Sequence, residues 1–198
     1  MPDDRPILEG IVTTVLPDGS PNIAPMGPRI SADFQTILLR PFQPSTTYDN
    51  LKRTGQGVFH VTDDVELLAR AAIGRLESLP PMRAAESLTG WILADVCRWY
   101  AFRVESLDDS RQRAEIECRV VESGRQRDFF GFNRAMFAVV EAAILATRIE
   151  LLPANAIAAE YQRLAVIVEK TAGPRERRAF NLLVEFVRAG GVDLASVR

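Results

Sequence analysis

The chain is organised around two stretches, NIAPMGP at residues 22–28 and RPFQPSTTY at residues 40–48. The second stretch follows TILL at residues 36–39, a short apolar run of β-prone residues, so Arg40 is expected at the end of a strand. Three consecutive hydroxyl side chains at residues 45–47 then stand where a helix is expected to begin. A helix N-terminus leaves backbone N–H groups unpaired and carries a partial positive charge. Hydroxyls beside it, together with one guanidinium, therefore suit a phosphate group.

A second interpretation of the same stretch requires no ligand. One of the three hydroxyl residues can cap the helix that continues through Tyr48, and Arg40 can be a solvated charge at the strand end. Because short motifs are only hypotheses, the residues alone leave both interpretations open.

Residues 22–28 belong to a predicted hairpin whose second strand is irregular. A first strand is expected over residues 7–15, and PDG at residues 17–19 predicts a turn, because proline presets φ and glycine accepts positive φ. The return strand at residues 21–26 contains two prolines, which cannot donate ladder hydrogen bonds and belong at a sheet edge or bulge. A strand that has stopped pairing can direct backbone N–H and C=O groups toward a ligand. The alternative interpretation is that residues 25–28 only form a turn and bind no ligand.

Four segments near the start of the chain carry a resemblance. They are TT at residues 13–14, DGSPNIAPMG at residues 18–27, STTYDNL at residues 45–51 and TGQGVFHV at residues 54–61. This layout resembles the opening of the flavin-binding split-barrel proteins, which include flavin reductases and pyridoxamine-phosphate-oxidase-like chains. Three later segments are GFNRA at residues 131–135, EAAILATR at residues 141–148 and EKTAG at residues 169–173. They resemble one subfamily of those proteins that has no established function, and this resemblance spans nearly the whole chain.

The resemblance implies an α+β fold, an FMN-binding split barrel with a C-terminal helical segment. The β-barrel is expected over residues 1–130, and the helical segment over residues 131–198 is expected to pack on it. The family's cofactor region falls here on residues 22–27 and 40–50. The predicted FMN-binding residues are Asn22, Ala24, Pro25, Met26, Gly27, Arg40, Pro41, Ser45, Thr46, Thr47 and Asn50. Among them, the phosphate is assigned to Arg40, Ser45, Thr46 and Thr47, and the ring edge to Asn22, Ala24, Pro25 and Met26. The resemblance also implies a homodimer that holds FMN near the dimer interface.

The predicted function follows from the cofactor. Hydride or electron transfer is the chemistry that FMN supplies, so we predict an FMN-dependent oxidoreductase of the flavin-reductase-like type acting on an unknown small molecule. The subfamily resemblance points to pterin-type one-carbon cofactor metabolism as one candidate pathway. A non-catalytic flavin-binding or protein-interaction dimer is the alternative, and a structural dimer without cofactor is a third interpretation. No residue stands out as a proton donor, so no catalytic residue is predicted.

The composition restricts the class of protein. A chain of 198 residues is one domain, or one domain with an appendage, and a chain of this size buries roughly 70% of its unfolded surface. Its formal net charge of −2 gives no electrostatic footprint for nucleic acid or an anionic membrane. The N-terminus is too polar for a signal peptide, and no apolar run approaches the length of a membrane span. We therefore expect a soluble cytoplasmic protein that binds neither nucleic acid nor membrane.

The remaining reactive groups are expected to be structural. Cys97 and Cys118 lie far apart, without metal-ligand spacing to His60, so free thiols and no metal are predicted. His60, the only histidine, is expected to be packed in an apolar strand, although its ordinary pKa permits acid–base chemistry. Acidic residues within 63–66 are expected to begin a helix, and a divalent-cation site there is the alternative.

From residue 134 onward the hydrophobic period changes from two to three or four. Helices are predicted over residues 134–147, 155–170 and 174–189. The first of these is apolar on nearly every side and is expected to be buried against two partners. Arg134 and Glu141 share one face of it. They form either a narrow solvated stripe or, with Asn133, part of a pocket floor or dimer interface.

Overall fold

The structure is a computed structural model that describes residues 4–195 and residue 197. The chain divides into two compact units. The first takes the chain up to Thr62 and resumes over Leu79–Phe129, and the second combines Asp63–Ser78 with the chain from Phe130 onward. The segment Asp63–Ser78 therefore groups with the C-terminal helices, although four of the nine described strands follow it in the chain.

Within the described residues, the first unit contains nine strands and one helix. They are β1 (Gly10–Val15), β2 (Pro21–Met26), β3 (Arg29–Ile30), β4 (Thr36–Leu39), α1 (Thr46–Thr54), β5 (Gln56–Val61), β6 (Met82–Ala84), β7 (Trp91–Leu93), β8 (Arg98–Asp108) and β9 (Glu115–Arg125). Seven strands form one antiparallel sheet in the order β2-β1-β5-β8-β9-β4-β3, and β6 pairs with β7.

β1 and β2 form the predicted first hairpin. Their register ends at the pair Val15 and Pro21, and Leu16 N–H donates to the Ser20 carbonyl at 2.8 Å to close the turn. Gly19 has a φ of 86°, a conformation that glycine adopts without steric cost. β1 is buried along its whole length, whereas β2 lies at one end of the strand order. The predicted edge position of the proline-containing strand is therefore confirmed.

The sheet curls because the chain before β1 bonds to the strand at the opposite end of the strand order. β3 pairs with β4 on one side. On its other side, Leu8 N–H donates to the Pro28 carbonyl at 3.0 Å and Ile30 N–H donates to the Pro6 carbonyl at 3.1 Å. These bonds give the predicted barrel, split along one side. Its core is formed by Val12, Ile30, Ile37, Leu39, Tyr48, Leu51, Phe59, Tyr100, Phe102, Ala114, Ile116 and Cys118.

The second unit is helical. Its helices are α2 (Val65–Ala72), α3 (Arg134–Ala146), α4 (Ala154–Thr171) and α5 (Pro174–Ala189). Asp64 caps α2 by accepting bonds from the backbone N–H groups of its first turn, and Asn133 caps α3 in the same way. α5 begins with proline at its first position, where the missing N–H is not needed. These local signals explain why the helices fall within a few residues of their predicted positions.

α3 is the central helix of this unit and packs against α2, α4 and α5. Its alanines allow close approach, and Tyr161 of α4 donates its hydroxyl to the Ala142 carbonyl at 2.8 Å. This helix was predicted to be buried against two partners, and it packs against three. Arg134 and Glu141 are exposed, as the solvated-stripe interpretation requires. No helix in the described part of the chain is long and apolar enough to cross a membrane.

Candidate functional site

The RPFQPSTTY stretch forms the entry to α1, and its three hydroxyls have three different environments. Ser45 is the N-cap, and its Oγ accepts a bond from Tyr48 N–H at 3.3 Å. Thr46 is exposed, whereas the Thr47 side chain is buried. The cap interpretation is thus confirmed for Ser45. The first-turn N–H groups of Thr46 and Thr47 have no acceptor within a helix, so the start of α1 can still receive an anion.

A cluster of polar side chains around the buried Thr14, Thr47 and Asn50 holds the start of α1 against β1 and β2. The Asn22 amide nitrogen donates to the hydroxyl oxygens of Thr14 and Thr47, both at 3.1 Å. The Asn50 amide nitrogen donates to the same Thr14 oxygen at 3.0 Å. Arg53 donates to the Asn50 side-chain oxygen at 3.1 Å and also to the Val15 carbonyl. The structure therefore brings the predicted residues Asn22, Thr47 and Asn50 together.

This cluster gives Asn50 a positioning role. Its side chain is 3% exposed, and both of its polar ends are engaged within the chain. Any contribution of Asn50 to ligand binding therefore acts through the placement of α1. Sequence reasoning missed Thr14 and Arg53 as members of the cluster. The three-residue spacing between Asn50 and Arg53 was a signal that they share a helix face, whereas nothing local indicated the contact with Thr14.

Arg40 follows the last residue of β4, as predicted. Its side chain is 37% exposed, and Glu115 Oε1 lies 3.6 Å from its Nε. The Nε atom itself is buried and makes no hydrogen bond within the described residues. Partly exposed ion pairs of this kind contribute at most about 1 kcal/mol, so Glu115 does not prevent Arg40 from binding a stronger anion. The sequence did not indicate Glu115 as its neighbour.

The segment between Arg40 and α1 is tied to the turn between β8 and β9. Gln43 donates from its side-chain amide to the carbonyls of Asp109 at 2.9 Å and Arg111 at 2.6 Å. The Tyr48 hydroxyl and the Lys52 ammonium each donate to Asp109 Oδ2 at 2.7 Å. The bond from Lys52, followed by that from Tyr48, lowers the pKa of the Asp109 carboxyl below its ordinary value. α1 is therefore fixed at both its entry and its outer face.

The ends of β1 and β4 lie at the same end of the sheet, because both strands run in the same direction in the antiparallel order. Thr14 is close to the end of β1, and Arg40 directly follows β4. The register therefore places Arg40 and the entry of α1 at one end of the barrel. We refer to Asn22, Arg40 and residues 45–47 together as the α1 cradle.

β2 offers backbone groups along its outer edge. Pro21 and Pro25 are four residues apart, and both oppose β1 residues in the register. In an antiparallel pair, every second residue directs its backbone N–H and C=O groups away from the partner strand. Because a proline nitrogen cannot donate a ladder bond, Pro21 and Pro25 occupy these positions, and Ile23 between them does so too. The side chains of Asn22, Ala24, Pro25 and Met26 are partly buried.

Two further predicted residues have structural explanations. A Cβ atom on Gly27 would lie 2.6 Å from the Glu9 carboxylate and 2.8 Å from Ile7 Cγ2, so the glycine allows the chain before β1 to approach. Pro41 is buried, and its carbonyl accepts a bond from Ala114 N–H at 3.1 Å. Neither observation tests whether Gly27 or Pro41 contacts FMN, so both contacts stay predictions.

His60 is packed in an apolar strand, and both cysteines are free thiols, as predicted. His60 is fully buried between two backbone groups. Burial is the largest cause of the raised pKa of the Cys118 thiol. No group of three or more acidic, cysteine or histidine residues that could hold a metal ion occurs among the described residues. Asn133 accepts bonds from Ala135 and Met136 N–H and donates to the Thr171 carbonyl, so its side chain is engaged in the helical unit.

Two family models match the chain. The model described as "Protein of unknown function (DUF447) N-terminal domain" matches residues 8–127, and the one described as "Protein of unknown function (DUF447)" matches residues 133–185. The chain belongs to the DUF447 family. The predicted resemblance to a subfamily without an established function is confirmed.

Solved structures identify the fold of this DUF447 chain. An FMN-bound protein of the same family from Methanosarcina mazei has a TM-score of 0.80 and 22% identity, covering 92% of this chain and 95% of that one. The styrene monooxygenase flavin reductase from Pseudomonas putida S12 has a TM-score of 0.50 and 15% identity, with 62% and 82% covered. An FMN-binding protein from Thermus thermophilus has a TM-score of 0.51 and 14% identity, with 63% and 77% covered. The fold is the predicted flavin-reductase-like split barrel with C-terminal helices.

Proposed function

We propose that this DUF447 chain binds FMN and is an oxidoreductase of the flavin-reductase-like type, acting on an unknown small molecule as a homodimer. The observation that carries the cofactor proposal is the α1 cradle. It combines a helix start, an exposed hydroxyl at Thr46 and a strand-end guanidinium at Arg40 whose Nε has no hydrogen bond within the described residues. The FMN-bound relative from Methanosarcina mazei supports the same assignment.

The residues of the cradle fit a phosphate group. Arg40 would supply a charge-assisted bond, which is stronger than a neutral one. Thr46 would add its hydroxyl, and the N–H groups at the start of α1 would add the partial positive charge of the helix end. Asn22 holds Thr47 and thereby orients this first turn.

The outer edge of β2 fits the polar edge of a flat ring. It presents the N–H of Ile23 and the carbonyls of Pro21, Ile23 and Pro25, which together offer a donor and several acceptors. Ala24 and Met26 supply small or polarisable surface for contact with a ring. Bound FMN would supply hydride or electron transfer.

The experiment that tests cofactor binding is the visible absorption spectrum after incubation with FMN and desalting. We expect a retained flavin band in the wild type and at least about tenfold weaker binding in Arg40→Ala, because a charge-assisted bond is lost. Arg103→Ala is the matched control, since it removes one exposed charge from β8. A colourless wild type would remove the proposal and leave the α1 entry as a helix cap.

A second experiment tests turnover. Reduced nicotinamides should bleach the bound flavin, and a panel of acceptors should reoxidise it. Oxidised pterins belong in the panel because the sequence resemblance points to one-carbon cofactor metabolism. The burial of His60 and Cys118 favours a second candidate, a flavin-binding protein without turnover. That candidate predicts slow bleaching even by a small reductant such as dithionite, because a sealed flavin face is not reachable.

A further inference from the structure

A cavity of about 370 Å³ opens in the first unit, at the end of the sheet opposite to the α1 cradle. Val61 is the last residue of β5, Arg98 the first of β8 and Arg125 the last of β9, and all three line the cavity. These strand ends lie away from the end that carries Thr14 and Arg40, because neighbouring strands are antiparallel. Cavities of this size are typical of small-molecule sites.

The cavity wall contains two like charges in direct opposition. Arg98 and Arg125 are paired in the register of β8 and β9. Directly opposite residues of antiparallel strands project from the same face with Cβ atoms about 5 Å apart, and like charges in this arrangement destabilise the sheet. Arg125 forms an ion pair with Asp128, which is largely exposed. The Arg98 side chain makes no hydrogen bond or ion pair within the described part of the chain.

A second arginine pair on the same two strands shows that such opposition can be relieved internally. Arg103 and Arg119 are also directly opposite. Arg119 donates to the Glu105 carboxylate, and Arg103 donates to the Ser87 carbonyl at 2.9 Å. Both members of this pair therefore have acceptors in the chain, whereas Arg98 at the cavity has none.

Two other features of the cavity suit a ligand that is both anionic and apolar. Arg127 donates to Asp95 Oδ1 at 2.6 Å and to the Asp128 carbonyl at 3.2 Å, so its guanidinium is fixed in the wall. Phe129 is 45% exposed and stands with Val61 in the same wall. An aromatic face and an aliphatic side chain favour a planar apolar group.

We propose that this cavity binds a small organic oxyanion, a carboxylate or phosphate ester that carries a planar apolar group. Arg98 and Arg125 bind the oxyanion, because guanidinium forks match carboxylate and phosphate geometry. The apolar group lies against Phe129 and Val61. The site is separate from the α1 cradle, so the proposal does not rest on FMN binding.

Tryptophan fluorescence of the full-length protein tests the proposal. The Trp99 indole packs over Gly124, and these two residues follow Arg98 and precede Arg125. We expect saturable fluorescence changes with phenyl phosphate or benzoate, and weaker binding of inorganic phosphate. Arg98→Ala should weaken binding at least about tenfold, because a charge-assisted bond is lost. Arg103→Ala, on the same strand, should change it less than about twofold, because its charge lies outside the cavity.

A second readout separates this site from the cofactor site and from a folding defect. Arg98→Ala should raise the unfolding temperature of the unliganded protein, because it removes the like-charge opposition, and it should leave FMN retention unchanged. The relative strength of phenyl phosphate and benzoate identifies the preferred oxyanion, and either preference supports the site.

Three outcomes would overturn the proposal. One is the absence of saturable binding by every probe. Another is equal loss of binding in Arg98→Ala and Arg103→Ala, which would indicate non-specific charge attraction. The third is loss of FMN retention in Arg98→Ala, which would make the cavity part of the cofactor site.

Discussion

His60 shows how two backbone contacts fix the protonation state of a single side chain. The ring is fully buried in β5, with Nδ1 3.2 Å from the Ile11 carbonyl and Nε2 accepting a bond from Leu93 N–H at 3.2 Å. Nδ1 must therefore carry the proton of the neutral ring. A second proton on Nε2 would face the Leu93 N–H, which is itself a donor, so the charged form is disfavoured. Burial lowers the pKa of His60 to about 3.

This lowered pKa predicts a pH dependence of stability. Below about pH 6.5 the unfolded chain binds a proton at His60, whereas the folded chain does so only near its lowered pKa of about 3. The free energy of unfolding should therefore fall as the pH falls through this window, with a slope of up to about 1.4 kcal/mol per pH unit. Urea unfolding at a series of pH values measures the slope.

The control for this prediction is His60→Gln. Because His60 is the only histidine, the slope between about pH 6.5 and pH 5 should largely disappear in the variant. Equal slopes in the two proteins would assign the pH dependence to other groups and contradict the buried neutral histidine.

Among the elements, α1 depends on a side-chain network that local sequence could not reveal. The caps of α1 were predictable, because Ser45 and Gly55 act on neighbouring backbone groups. Thr14 is 36 residues from Asn50 in the chain, and the contact exists only because β1 packs beside α1. In the same way, the opposition of Arg98 and Arg125 follows from strand register. Hydrophobic alternation specifies which face a residue takes but does not distinguish registers that differ by two residues.

Thr14→Val tests this network. The substitution keeps the side-chain shape but removes the acceptor of the Asn50 amide group and one of the two acceptors of the Asn22 amide group. Leaving the buried Asn50 donor unsatisfied should lower the free energy of unfolding by about 1–3 kcal/mol. Chemical denaturation measures the loss, and Thr46→Val is the control because Thr46 is exposed at the same helix start. Comparable losses in both variants would show that the cluster does not anchor α1.

The end of α1 gives an independent prediction. Gly55 has a φ of 65°, and its N–H donates to the Leu51 carbonyl as the C-terminal cap. Gly55→Ala should cost about 1 kcal/mol of stability, because an L-residue is strained in this region, whereas Gly55→Asn should cost less. No atom lies within 4 Å of the position of an added Cβ, so crowding does not contribute. Thermal unfolding of the two variants measures the difference, and an equal loss in both would contradict the conformational explanation.

For the whole molecule, the split barrel with its C-terminal helices was predicted because seven segments of the sequence resemble a known family. The residues alone predicted local elements such as the first hairpin, the start of α1 and the C-terminal helices. The grouping of Asp63–Ser78 with the helical unit was not predictable from local pattern. The local sequence predicts only that α2 is a helix after β5. Its place in the helical unit follows from its packing against α3 and α5. The reaction was not predictable either, since the motifs indicate how a cofactor is bound and do not indicate which substrate reacts with it.

The proposed homodimer provides a prediction about the complete assembly. β2 lies at one end of the strand order and exposes backbone groups, and edges of this kind are covered in stable proteins. If a second copy covers the FMN bound at this edge, FMN binding and dimerisation are thermodynamically linked. FMN should then tighten the dimer by the same factor by which dimerisation tightens FMN binding.

Sedimentation equilibrium with and without FMN measures this linkage. We expect a mass of twice the 22.0 kDa chain at high concentration, and dissociation on dilution that FMN suppresses. FMN titrations across the same concentrations should show weaker binding where the protein is monomeric. A single-chain mass at every concentration would contradict the dimer. A dimer whose stability is independent of FMN, with equal FMN affinity in the monomer, would instead show that one chain forms the whole cofactor site.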